Sequence, residues 1–286
     1  MTVKHSQDII FTELTGAGGN IGHILLNRPK ALNSLTADMC TLLHEQLVQW
    51  QQDDTIKAVV IRGDGERAFC AGGDIRYIYA NGTENSAASE HFFRTEYRMN
   101  AALFHFDKPY ISLLDGITMG GGAGVSVHGS HRVATERLLL ALPETGIGSF
   151  PDIGASYFLT HCSDKLGYYL GLTGERIGAA DAHELSLVTH IIASDQQENL
   201  IQALLDNSFT GSDFARVSRI IEDFVITTEP PQLANHLHNI AQCFDGSSIE
   251  DILTRLQEVN STWSLSTIKT LHTKSPTSLK VTFAQL

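Results

Sequence analysis

The chain has 286 residues, 42% of them hydrophobic and 18% charged, which is ordinary for a globular protein and enough for one large domain or two smaller ones. The 32 acidic residues against 20 basic ones give a net charge of −12. That argues against nucleic acid or an anionic membrane as partner, while an anionic small ligand could still be held by a few local cations. Cys40, Cys70, Cys162 and Cys243 form no CxxC pair, no run approaches the ~18 apolar residues of a membrane span, and the opening MTVKHSQDIIF lacks a signal-peptide core. The expectation is a reduced intracellular protein, cytoplasmic by default. In a eukaryote the mitochondrial matrix is the counterpart, although no transit peptide is visible.

Short apolar runs alternate with helical patterns through the first half. Residues 22–26 read as a strand, stopped by Asn27-Arg28-Pro29. A helix follows with Met39, Leu42, Leu43, Leu47 and Trp50 on one face and Thr36 as N-cap. Strand signals recur at 57–62, 109–114 and 131–135, and Gly63-Asp64-Gly65 turns the chain. Helical patterns start at Ile75 and at Ala123, and 156–172 reads as largely helical. Beyond about residue 195 the strand signals fade, and 197–205, 232–243 and 248–259 look helical, with Pro230-Pro231 as punctuation. This pattern predicts an α/β fold with mostly parallel strands over 1–195 and a helical C-terminal region over 196–286. No fixed-period repeat is visible. Ser275-Pro276 looks like a helix start, with Leu279, Phe283 and Leu286 opening an apolar face.

Two glycine clusters stand at candidate strand-to-helix turns: Ala71-Gly72-Gly73-Asp74-Ile75, and Gly120-Gly121-Gly122-Ala123-Gly124. Glycine lets backbone approach a ligand, and unpaired N–H groups at helix starts attract negative charge. Two such turns meeting at one point would make an oxyanion hole. Either cluster alone is equally a tight turn or a helix-packing site. Neither completes a dinucleotide fingerprint, a Walker loop or a G-x-S-x-G elbow.

Leu138 to Leu142 is an apolar run that ends at Pro143-Glu144, so the Glu144 carboxylate would be partly desolvated and more basic. Asp152 follows eight residues on, across a Gly- and Pro-bearing loop, and the two could share one water. The alternative is that Glu144 caps the next turn and Asp152 starts a helix at Ile153. The 13 histidines form no metal signature.

Taken together, these segments resemble the crotonase superfamily over about two hundred residues, so the fold implied is a spiral of β–β–α units. The stretch Asn27-Arg28-Pro29-Lys30-Ala31-Leu32-Asn33-Ser34-Leu35 resembles the loop lining the CoA adenine site. Arg28, Lys30, Ala31, Leu32, Ala71, Asp74 and Ile75 are therefore implied as substrate-binding, with the N–H groups of Gly73 and Gly121 as the oxyanion hole. Enoyl-CoA hydratases carry a glutamate where Gly124 stands and usually a glycine where Asp152 stands. The exchange is similar to that in 3-hydroxyisobutyryl-CoA hydrolases, as are Phe150-Pro151-Asp152-Ile153-Gly154 and Ser275-Pro276-Thr277-Ser278-Leu279-Lys280. Phe92-Phe93-Arg94-Thr95-Glu96-Tyr97 matches a segment whose Glu96 position contacts substrate.

The resemblance implies a thioesterase acting on an acyl-CoA of valine breakdown, with Glu144 and Asp152 catalytic. Coenzyme A would enter as part of the substrate, and no metal or other cofactor is called for. Members often assemble as trimers or pairs of trimers, which makes a homo-oligomer one expectation. They also typically continue past the Ser-Pro-Thr-Ser helix, so a shortened C-terminus is a further one. A hydratase or isomerase, or a degenerate acyl-CoA-binding protein, are the competing readings.

Overall fold

The computed structural model describes residues 7–82, 86–209 and 213–286. Two sheets form the core. Strands β1 (Ile9–Gly16) and β2 (Gly19–Leu26) make an antiparallel hairpin, and β2 then runs parallel to β3 (Ile56–Gly63). The large sheet continues in parallel through β5 (Tyr110–Leu114), β7 (His131–Thr135) and β9 (His190–Ile192). A smaller sheet holds β4 (Ala68–Cys70), β6 (Ile117–Met119) and β8 (Leu139–Ala141), also parallel.

The chain alternates between the sheets: β3 then β4, β5 then β6, β7 then β8. Each pair is followed by helix, and the result is the expected spiral of β–β–α units. The strands entering the large sheet begin at Ile56, Tyr110 and His131. That uneven spacing explains why no fixed period shows in the sequence.

The helices, in order, are α1 (Ala37–Gln52), α2 (Ile75–Gly82), α3 (Ser86–Phe104), α4 (Gly121–Gly124), α5 (Ala155–Phe158), α6 (Leu166–Thr173), α7 (Ala179–Glu184), α8 (Gln197–Asp206), α9 (Phe214–Glu222), α10 (Leu237–Phe244), α11 (Ile249–Val259), α12 (Thr262–His272) and α13 (Pro276–Gln285). Thr36 caps α1 as expected, its hydroxyl accepting from the Met39 N–H, and Ser275 caps α13 in the same way.

Strand β3 is buried on both sides, which is why it reads as a continuous apolar run. Val59 and Ile61 face the main core with Trp50 and Leu47 of α1. Ala58 and Val60 face a second cluster with Leu200 and Leu204 of α8 and Val217 and Ile221 of α9. Helices α10, α12 and α13 pack against α6, with α11 against all three, and Tyr169, Phe244 and Trp263 form an aromatic group there.

One helical expectation holds with a break, and one shifts. The stretch 156–172 is largely helical, but in pieces: α5 runs into a 3-10 turn, Leu159–His161, and the chain breaks before α6. Asp164 and Lys165 take left-handed φ values of 52° and 64°, which no continuous helix tolerates. The helix expected to start at Ala123 lies instead at Gly121–Gly124 and is capped at Val125.

Candidate active site

The three strands of the small sheet end at one place, and ligands in parallel sheets bind outside such carboxyl ends. After β4 comes Ala71-Gly72-Gly73, after β6 Gly120-Gly121, and after β8 Pro143-Glu144. Helix α3 closes the side with Glu96. Together with Ile75, Ile78, Phe92, Phe93 and Asp152 they line a cavity of ≈ 270 Å³.

The two glycine turns meet. A Cβ placed on Gly121 would stand 3.3 Å from the Gly73 nitrogen and 2.3 Å from Glu96 Oε1. A Cβ on Gly72 would stand 3.3 Å from the Gly121 nitrogen. Neither the Gly73 nor the Gly121 N–H donates to any acceptor among the described residues. Two free donors therefore lie side by side at the wall of the cavity, one of them at the first turn of α4. Gly120 has φ 50° and ψ −122°, a conformation natural to glycine, and Glu144 Oε1 would sit 3.0 Å from a Cβ there.

Three carboxyl groups converge on this cavity. Glu144 is the first residue of a 3-10 turn, Glu144–Ile147, which Pro143 precedes with no side-chain cap. It is therefore not a cap. It is buried, and its Oε2 has no hydrogen-bond partner. Burial, and then the Asp152 charge, push its pKa up to about 8. Glu96 is buried too, and burial followed by the charges of Asp152 and Glu144 lifts it to about 8. Asp152 is raised by burial, partly offset by the hydrogen bond it accepts from the Tyr97 hydroxyl.

Asp152 does not cap a helix with its side chain; Gly154 is the N-cap residue of α5. It sits on a turn in which Ile153 has φ 23°. A positive φ is rare for a β-branched residue and costs on the order of 1–3 kcal/mol. The Ile153 carbonyl accepts from His128 Nε2 at 2.7 Å, and Gln285 Nε2 donates to the Pro151 carbonyl at 2.6 Å.

The remaining candidate residues lie beside this cavity, not in its wall. Arg28 donates through Nη2 to Asp74 Oδ2 at 2.9 Å and through Nη1 to the Ser34 carbonyl at 2.6 Å, and Asp8 is 3.5 Å from its Nε. Lys30 and Ala31 are exposed on a 3-10 turn, Pro29–Ala31. The Leu32 carbonyl accepts from the Ala71 N–H, so this loop abuts the first glycine turn. Asn33 fixes the loop: its Oδ1 accepts from the Arg28 N–H, and its Nδ2 donates to the Asp64 and Ala68 carbonyls.

Four residues beside the cavity carried no role in the sequence reading: Asn33, Tyr97, Asn100 and His128. Asn100 lies one turn beyond Glu96 on α3, a spacing that could have flagged it. Its buried carboxamide is unpartnered, and a Cβ on Gly124 would be 3.1 Å from its Oδ1. Tyr97 gives no such signal, because its partner Asp152 is 55 residues away.

The enoyl-CoA hydratase/isomerase family profile matches residues 21–286. The chain belongs to this family. Among enoyl-CoA hydratase/isomerase relatives, the 3-hydroxyisobutyryl-CoA hydrolase, mitochondrial, of Danio rerio is 42% identical, covering all of this chain and 75% of the relative. The human protein of the same name is 41% identical over 94% of this chain and 70% of its own length. Among solved structures, a carnitinyl-CoA dehydratase from Mycobacterium thermoresistibile superposes with TM-score 0.89 at 35% identity, covering 98% of this chain and 78% of that one. An enoyl-CoA hydratase from Rhodobacter sphaeroides gives 0.85 at 32%, over 97% and 77%. The crotonase-like spiral expected from the sequence is thus the fold of the family and of this chain. No helix among the described residues is long and apolar enough to cross a membrane.

Proposed function

We propose that this chain hydrolyses 3-hydroxyisobutyryl-CoA, a thioester of valine breakdown, to the free acid and coenzyme A. One observation carries the reading: a buried Glu144 carboxyl group, its Oε2 without a partner, shares a small cavity with Asp152, Glu96 and two free backbone N–H donors. The relatives named as 3-hydroxyisobutyryl-CoA hydrolases support the substrate.

The N–H groups of Gly73 and Gly121 receive the thioester oxygen and stabilise its negative charge as the carbonyl carbon becomes tetrahedral; losing one such donor costs roughly 3–4 kcal/mol of barrier. Glu144 acts in one of two ways. It attacks the carbonyl to give a mixed anhydride that water then opens, or it takes the proton of a water that attacks directly. Either way the C–S bond breaks and the thiolate leaves as CoA after taking a proton. Asp152 orients the water or the substrate hydroxyl, and Glu96 holds the acyl end. The loop with Arg28, Lys30, Ala31 and Leu32, beside Ala71, Asp74 and Ile75, takes the CoA moiety. No step calls on a metal or redox cofactor. The cytoplasm is the proposed compartment, although the relatives' names are mitochondrial; fractionation of the source cells decides. A homo-oligomer is the proposed assembly, and sedimentation of the purified chain tests it.

Assay against a panel of acyl-CoA thioesters tests the substrate. Release of CoA from the 3-hydroxyisobutyryl thioester should exceed hydration of crotonyl-CoA. The reverse would make the chain a hydratase, a reading favoured by the structural likeness to a dehydratase and a hydratase. Single turnover in labelled water separates the two routes: label in the Glu144 carboxyl requires the anhydride.

A further inference from the structure

We infer that His128 is a positioning residue, whose grip on the Ile153 carbonyl holds the turn that aims Asp152 into the cavity. The inference rests on the role proposed for Asp152. His128 follows α4 in the chain, and its ring lies against Phe104 and Phe158, both edge-on. Its Nε2 is 2.7 Å from the Ile153 carbonyl oxygen. A carbonyl only accepts, so Nε2 carries the proton, in the neutral ring as in the charged one. Burial lowers the imidazole pKa, so the ring is neutral at physiological pH.

The turn is shaped around that ring. A Cβ on Gly154 would meet imidazole Cε1 at 2.7 Å and Nε2 at 3.0 Å, and Gly154 has φ 82°. Glycine at this position therefore serves both the left-handed backbone and the approach of the ring. Ile153, between the anchored carbonyl and Asp152, is in the rare conformation described above. Unfavourable backbone of this kind persists only where neighbours over-determine it. Three contacts surround Asp152: Tyr97 on the carboxylate, Gln285 on the Pro151 carbonyl before it, and His128 on the Ile153 carbonyl after it. The imidazole is absent from the wall of the Glu144 cavity and lines a neighbouring hollow with Phe104 and Tyr157, and Asp152 borders both. Among the described residues, its one hydrogen bond to the loop is to the residue after Asp152.

The test compares His128→Leu, which keeps apolar packing but cannot donate, with His128→Gln, whose amide can reach the carbonyl. His128→Leu should lower kcat by about tenfold to a hundredfold with KM nearly unchanged, as misplacement of a catalytic group does. His128→Gln should restore most of that loss. The double variant with Asp152→Asn should be no slower than Asp152→Asn alone, because both changes remove the same aimed carboxylate. The acid limb of the pH profile should move to lower pH in His128→Leu as in Asp152→Asn, since Asp152 raises both glutamates. If His128→Leu fails to fold by circular dichroism, His128→Asn replaces it, being one methylene too short to reach. Unchanged kcat, failure of glutamine to rescue, or full additivity with Asp152→Asn overturns the inference. Full activity in Asp152→Asn itself overturns the reading of Asp152 instead.

Discussion

Glu144 and Glu96 illustrate what burial does to a carboxyl group. Each is pushed from an ordinary value near 4.5 up to about 8. If Glu144 must be ionised to act, kcat/KM should climb with pH and level off above about 8, and the Asp152→Asn variant, though slower, should level off earlier. Replacing Glu144 by Ala or Gln should cut hydrolysis by about a hundredfold or more while CoA still binds; turnover within about twofold of the parent would remove it from the chemistry.

The same shifts carry a stability consequence of opposite sense to the usual acid denaturation. The folded chain keeps these two protons up to about pH 8, whereas the unfolded chain releases them near 4.5. Between those limits the native state binds more protons, so stability is highest at the acid end of the window and falls as pH rises through it. Glu96→Gln should therefore melt at a higher temperature than the parent at pH 8–9 and nearly the same at pH 5. Of this, the sequence disclosed Glu144 and Asp152 by their place after a buried strand. Their third companion was disclosed only by family resemblance, because Glu96 comes from a helix distant in sequence.

At the scale of elements, legibility followed burial. Strands β3 and β5 have apolar residues on both faces and announced themselves as nearly continuous runs, while β7, His-Arg-Val-Ala-Thr, showed only a short β-branched core. Strands β4 and β6 have three residues each, too short for any periodicity to register, yet with β8 they place the turns that line the candidate site. The long helix α3 also went unassigned, since polar and apolar residues mix along it without a clean stripe. Between elements, Asn33 closes the Arg28 loop with one hydrogen bond and ties it with two more to the turn before β4 and to the first residue of β4. Its side chain is fully buried. Asn33→Ala should destabilise the protein by roughly 2–4 kcal/mol, because buried backbone groups lose their partners. Chemical denaturation would measure it, and a loss under about 0.5 kcal/mol, the level of a surface change, would show the loop to be held by its other contacts.

At the scale of the molecule, the helical region is tied to the turns of the candidate site. The Ser275 N–H donates to the Thr145 carbonyl, one residue past Glu144, and Gln285 holds Pro151, one residue before Asp152. One helix, α13, thus braces both carboxylate-bearing segments from behind. Gln285→Leu should lower kcat several-fold with little change in melting temperature, since the chain's packing is kept and only the anchor of the loop is lost. None of this bracing could be read from the sequence, where a helix start was visible but its partners lay more than a hundred residues upstream.

The crowding of three carboxyl groups in one cavity also bears on how the reaction ends. Under the proposed chemistry a neutral acyl group enters and a carboxylic acid is made in its place. The nascent acid joins three groups already competing for protons, and on ionising it is repelled by its hosts. Expulsion of product is thereby built into the site that makes it. The free acid should be a poor inhibitor at pH 8, and a better one as acidification neutralises both sides of that repulsion.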